Sequence, residues 1–146
     1  ASDVYKRQVP SRELWSGAND TLREKIGEDY PRDTFRHEQD LLVTENGKTA
    51  LFAGCAHCGI VNILKSAEDV LGRAPDAVFA GFHLYNPSLG KSEPDELVDA
   101  VGEKLRGDKV AHYFTGHCTG KEAYERLKRK LGDRLGEMPA GSDFTV

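Results

Sequence analysis

The chain has 146 residues, is 38% hydrophobic and 30% charged, and carries a formal charge of −4, with five histidines and three cysteines. That length suits one domain with a buried core, and the composition excludes disordered, collagen-like and disulfide-framework classes. The apolar runs are too short to predict a membrane-spanning helix, an acidic chain lacks the basic face of a nucleic-acid binder, and an odd cysteine count without framework spacing points to a reducing cytoplasm.

The first residue is not Met, and nothing near it resembles a signal peptide. Asp3-Val4-Tyr5-Lys6-Arg7-Gln8 matches one translated frame of the transposon end used to tag sequencing libraries. Residues 1–8 are therefore read as a library scar, the plain alternative being an ordinary polar N-terminus. An adapter joined mid-gene would make the rest a C-terminal fragment of a longer protein. Residues 9–36 are polar, broken by Gly17, Gly27 and Pro31, and are expected to be a poorly defined connecting segment. Ala18 to Ile26 suits a short helix capped by Asn19 or Asp20.

From Asp40 the pattern sharpens. Leu41–Thr44 and Thr49–Ala53 flank Glu45-Asn46-Gly47-Lys48, and an Asn-Gly pair between two apolar runs predicts a hairpin. Ile60, Ile63, Leu64, Ala67, Val70 and Leu71 recur at helical spacing up to Gly72. Asp76–Ala80 reads as a buried strand. Ser92-Glu93-Pro94-Asp95 reads as a capped helix start, with Leu97, Val98, Val101 and Leu105 as the apolar face and Gly107 as the stop. Val110–Thr115 is a further strand, and Thr119-Gly120-Lys121-Glu122 a capping box opening a helix that ends at Gly132. The basic residues of that helix, Lys121 to Lys130, read as a solvated face. Phe144–Val146 is expected to add a last strand. Alternating strands and helices imply an α/β layer.

Three polar clusters follow predicted strands: Gly54-Cys55-Ala56-His57-Cys58-Gly59, Gly81-Phe82-His83-Leu84 and Thr115-Gly116-His117-Cys118-Thr119-Gly120. Ligands of α/β folds bind at the carboxyl ends of strands. Imidazole and thiolate are natural ligands for zinc and related metals, and small neighbours let the backbone turn closely. Taken singly, each His is as well read as a hydrogen-bonded loop residue; three such clusters at comparable strand ends favour a site. Cys55-Ala56-His57-Cys58, between a strand and a helix start, also admits a thioredoxin-like redox reading, against which no Pro stands before a later strand to face the thiols. His112 reads as a packed or edge residue and His37 as a surface residue.

At these clusters the sequence resembles the C-terminal half of a metallo-β-lactamase-fold hydrolase. It is similar to the group named for 7,8-dihydropterin-6-methyl-4-(β-D-ribofuranosyl)-aminobenzene-5′-phosphate synthase. The resemblance rests on Phe35-Arg36-His37-Glu38-Gln39, Leu51-Phe52-Ala53-Gly54-Cys55-Ala56-His57-Cys58-Gly59-Ile60-Val61-Asn62, Gly81-Phe82-His83-Leu84 and His117-Cys118-Thr119-Gly120. It implies half of an αββα sandwich over residues 37–146, a mixed sheet with helices on its outer face. The His-x-His-x-Asp-His motif of the superfamily's N-terminal half is not found in these residues, so the missing half is expected as the partner of this layer. The resemblance further implies a metal site drawing on His57 and His117, then Cys55 and His83, with His83 also a candidate acid/base group. The metal would be divalent, zinc with iron or manganese as alternatives. It would act on a small-molecule ester, phosphoester or pterin-type substrate, without a nucleic-acid or membrane partner. A metal-free binding module of the same fold is the remaining alternative. The isolated chain is expected to bind metal weakly, to lack turnover and to self-associate.

Overall fold

The computed structural model describes residues 2–5, 9 and 12–146. Strands β1 (Ser2–Tyr5), β2 (Asp40–Glu45), β3 (Lys48–Phe52), β4 (Ala77–Phe79), β7 (His112–Thr115) and β8 (Leu135–Glu137) form one sheet in the order β1-β2-β3-β4-β7-β8. A small hairpin of β5 (Tyr85–Asn86) and β6 (Lys91–Ser92) stands apart. The helices are α1 (Ile60–Leu71), α2 (Asp95–Gly107) and α3 (Lys121–Leu131). The expected library scar falls partly outside the described residues, since residues 1, 6, 7 and 8 are not described. Ser2–Tyr5 pairs antiparallel with β2.

The Asn46-Gly47 turn joins β2 and β3 with positive φ at both residues, 51° and 80°, as a tight hairpin turn requires. From β3 onward the neighbours β3-β4-β7-β8 are all parallel. Successive strands are added in one direction, so right-handed crossovers carry α1, α2 and α3 to the same face. Leu51, Val78, Tyr113 and Leu135 point to that face and are buried with Ile63, Leu64, Val98, Leu105 and Leu127. On the opposite face the rings of Phe52, Phe79 and Phe114 stack nearly parallel across three strands, with centroids 4.9 Å apart at each step. Phe52 is 39% exposed. Parallel sheets are ordinarily covered on both faces, and here the helices cover one: the chain is a single α/β layer.

Several expected local features take another form. The polar segment before β2 is built in: Ser16 and Asn19 are buried. Its helical part is a 3₁₀ turn, Gly17–Thr21, capped by the Ser16 hydroxyl, which accepts from Ala18 N–H. Glu93 reaches across to the same turn, accepting from Ala18 N–H at 2.7 Å and from the Ser16 hydroxyl at 3.0 Å. Ser92 does not cap α2; it lies in β6 opposite Tyr85, and α2 follows Pro94 without a side-chain cap. Phe144–Val146 forms no strand. The last strand is Leu135–Glu137, and the Phe144 ring packs on Phe114 at 4.4 Å instead. The basic face of α3 is an ion-paired seam: Arg126 bonds Asp95 and Asp99 of α2, and Lys130 pairs with Asp99 and Glu103.

Candidate metal centre

The loops after β3, β4 and β7 meet at the carboxyl end of the sheet and are bonded to one another. Gly81 N–H donates to the Gly54 carbonyl at 2.8 Å and Leu84 N–H to the Cys118 carbonyl at 3.0 Å. Phe82 N–H donates to the Thr119 hydroxyl at 2.9 Å, which also bonds the Thr115 hydroxyl at 2.6 Å. Thr119 is thus spent on joining loops, and α3 follows Gly120 without a side-chain cap, unlike the capping box expected there.

His57 is held from four sides. Its backbone N–H, and that of Cys58, donate to the two carboxylate oxygens of Glu38 at 2.6 and 2.8 Å. Phe35 lies parallel to its ring, 4.5 Å away and within 2° of coplanar. Asn19, fully buried, donates from its amide nitrogen to the His57 carbonyl at 2.8 Å and places its amide oxygen 3.0 Å from Nδ1. An amide oxygen only accepts, so Nδ1 carries the proton and the Nε2 lone pair is left available. The His83 ring is 4.2 Å from that of His57. It is 6% exposed, and neither ring nitrogen has a hydrogen-bond partner.

Burial lowers the pKa of His57, an effect the Glu38 and Asp33 carboxylates oppose. Burial, then the His57 charge, takes His83 down to about 4. His83 is therefore unprotonated at neutral pH, which suits a metal ligand or a proton acceptor rather than a proton donor. The backbone is strained at the same place: Phe35, Ala56, His83 and His117 hold φ of 54°, 47°, 49° and 52°. Non-glycine residues in this region are uncommon and cost on the order of 1–3 kcal/mol each.

The four residues expected as ligands are thus gathered on adjoining loops but not into one cluster. His57 and His83 meet ring to ring, while His117 is exposed on the third loop. Cys55 lies against Cys118, whose Sγ–H points to the Cys55 carbonyl at 3.7 Å. Among the described residues no group of three or more His, Cys, Asp or Glu side chains stands close enough to hold an ion. Beside His117 a cavity of about 430 Å³ is lined by Thr115, Lys121, Tyr124, Glu137 and Met138. Cys58 is buried with Sγ facing the Phe35 carbonyl at 3.8 Å, and burial with the Glu38 carboxylate pushes its thiol up to about 12. Its Sγ is engaged with the Phe35 carbonyl while Cys55 lies against Cys118, which gives the thioredoxin-like reading of Cys55 and Cys58 no support. Asn19 and Glu38, which hold the candidate residue His57, were not expected at the site; the Phe-Arg-His-Glu-Gln element was the one signal for Glu38. His37 is exposed, 3.8 Å from Asp33, and His112 is an exposed strand residue beside Phe114.

No family model matches the chain. It is 30% identical over 101 residues to the 7,8-dihydropterin-6-methyl-4-(β-D-ribofuranosyl)-aminobenzene-5′-phosphate synthase of Methanocaldococcus jannaschii, a match covering 68% of this chain and 32% of that protein. Its fold is similar to the crystal structure of Tm1679, a metal-dependent hydrolase of the β-lactamase superfamily, with a TM-score of 0.73 and 23% identity, covering 90% of this chain and 51% of the other. The chain therefore spans about a third of the curated relative and half of the solved hydrolase. In fold the chain is thus like a metal-dependent hydrolase of the β-lactamase superfamily, and in sequence it is similar to a dihydropterin-phosphate synthase.

Proposed function

We propose that this chain is one layer of a metal-dependent hydrolase or transferase, supplying imidazole ligands to a site completed by a second layer from the same gene product. The observation that carries the reading is His83, buried in a strained conformation with both ring nitrogens unsatisfied, against a His57 whose Nε2 is left free. A buried polar group without a partner is costly and calls for a ligand. The donor set fits part of a zinc, iron or manganese shell: His57 and His83 first, with His117 and Cys55 on the neighbouring loops. A catalytic zinc ion takes three protein ligands and keeps an open position, so the remaining donors are assigned to the second layer.

A divalent metal bound there would supply Lewis acidity and activated water. The chain's own residues do the rest. Asn19 fixes the tautomer of His57, Glu38 anchors the loop that carries it, and Phe35 sets the plane of its ring. The reaction class is hydrolysis or transfer at an ester, phosphoester or pterin-type substrate, supported by the likeness to the synthase and the hydrolase. The test is turnover of p-nitrophenyl esters and phosphodiesters by the gene product read from upstream of codon 9. Chelator-sensitive hydrolysis, lowered about 100-fold by H57A or H83A, is the expected result. An upstream open frame without a His-x-His-x-Asp-His motif, or turnover indifferent to both substitutions, would overturn the reading.

A further inference from the structure

The loop after β3 and the loop after β7 each bring a cysteine to the same spot above Gly81. A Cβ built on Gly81 would lie 2.6 Å from Cys118 Sγ and 3.6 Å from Cys55 Cα, so the sulfur fills the space that only glycine leaves. Cys118 Sγ–H donates to the Cys55 carbonyl at 3.7 Å, which sets the two cysteines against each other. Both cysteines are partly exposed, whereas Cys58 is 3% exposed and turned toward Phe35. The Cys-x-x-Cys spacing thus joins the wrong pair: the thiol beside Cys55 comes from a loop 63 residues away in sequence.

We propose that Cys55 and Cys118 are an oxidisable pair that closes to a disulfide between the His57 loop and the His117 loop. With a hydroperoxide as oxidant, one thiol sulfur attacks the peroxide, giving a sulfenic acid and releasing water or an alcohol. The second sulfur then displaces the hydroxyl of the sulfenic acid, and its own proton leaves with that hydroxyl as water. Two thiols are oxidised by two electrons and one peroxide is reduced. The bond would sit two residues before His57 and one after His117, so oxidation would lock the spacing of two loops that carry candidate ligands. The pairing itself does not depend on any metal being bound.

The test is oxidation of the chain with hydrogen peroxide, and separately with diamide, in the presence of EDTA, followed by alkylation and non-reducing peptide mapping. Residues 49–65 are one tryptic peptide carrying both Cys55 and Cys58, and residues 110–121 carry Cys118. The expected product joins these two peptides, with Cys58 recovered alkylated after denaturation. It persists in C58S, disappears in C55S and C118S, and raises the thermal midpoint by about 5 °C or more. A Cys55–Cys58 link, or no link between the two peptides with either oxidant, would overturn the proposal.

Discussion

Burial sets the charge of the central imidazole and makes it a pH-dependent element of stability. His83 titrates near 4 in the folded chain and near 6.5 when unfolded. Below pH 6.5 the unfolded state therefore takes up a proton that the folded state refuses, and stability falls as pH drops from 6.5 toward 4. The direction for His57 is the same. Asp40 works in the opposite sense: burial and the Glu38 charge raise it to about 7, and its Oδ1 is buried without a partner. Its contribution to stability is lost progressively as pH rises from about 4 to 7, where the unfolded state is ionised and the folded one is not. Because Asp40 works against it over the same window, the His83 contribution is read as a difference: between pH 7 and pH 5 the wild type should lose about 2 kcal/mol in urea unfolding relative to H83N, which keeps a residue tolerant of positive φ. Parallel pH profiles of the two proteins would assign the acid sensitivity elsewhere. At this scale the sequence was partly legible. Gly-flanked His clusters after strands pointed to His57 and His117 first and to His83 after them, and the structure sets His83, not His117, ring to ring with His57. Asn19 was invisible, because its partner lies 38 residues away and a polar residue in a polar segment carries no periodic signal.

Elements were legible where local rules acted alone. The Asn-Gly hairpin, the stripe of α1 ending at Gly72 with φ 69°, and the α3 stripe up to Gly132 stand where they were expected. The failures share one cause: tertiary partners claimed side chains that looked like caps. Glu93 is drawn to Ser16 and Ala18, and Thr119 to Thr115 and Phe82 N–H. The second case has an energetic consequence. Thr119→Val keeps the shape but leaves Phe82 N–H, in a buried loop, without an acceptor. A loss of about 1–3 kcal/mol in urea unfolding is expected, together with faster amide exchange at Phe82. No change in either would show that the loops after β4 and β7 are not tied through this hydroxyl.

The molecule as a whole reads as half of a layered structure. Its parallel strands run in sequential order, its helices share one face, and the other face shows the Phe52-Phe79-Phe114 stack. The α/β layer was legible from alternating strands and helices. That face, covered by Phe144 over Phe79 and Phe114 but open at Phe52, was implied only through the family resemblance, since phenylalanine in a strand looks the same whether its face is packed or open. Exposed aromatic area of this kind drives association. Sedimentation of the chain should show concentration-dependent self-association that Phe52→Lys reduces; a monomer at all concentrations would mean that this face is satisfied within the chain. The central claim is that His57 and His83 are ligands in a metal centre shared with a second layer. Elemental analysis of the gene product extended upstream of residue 9, wild type against H57N and H83N, tests it most directly. The account predicts about one or two zinc, iron or manganese ions per wild-type chain, occupancy at least tenfold lower in both variants, and no stoichiometric metal in the 146-residue chain alone. Equal metal content in wild type and variants, or tight binding by the short chain, would contradict it.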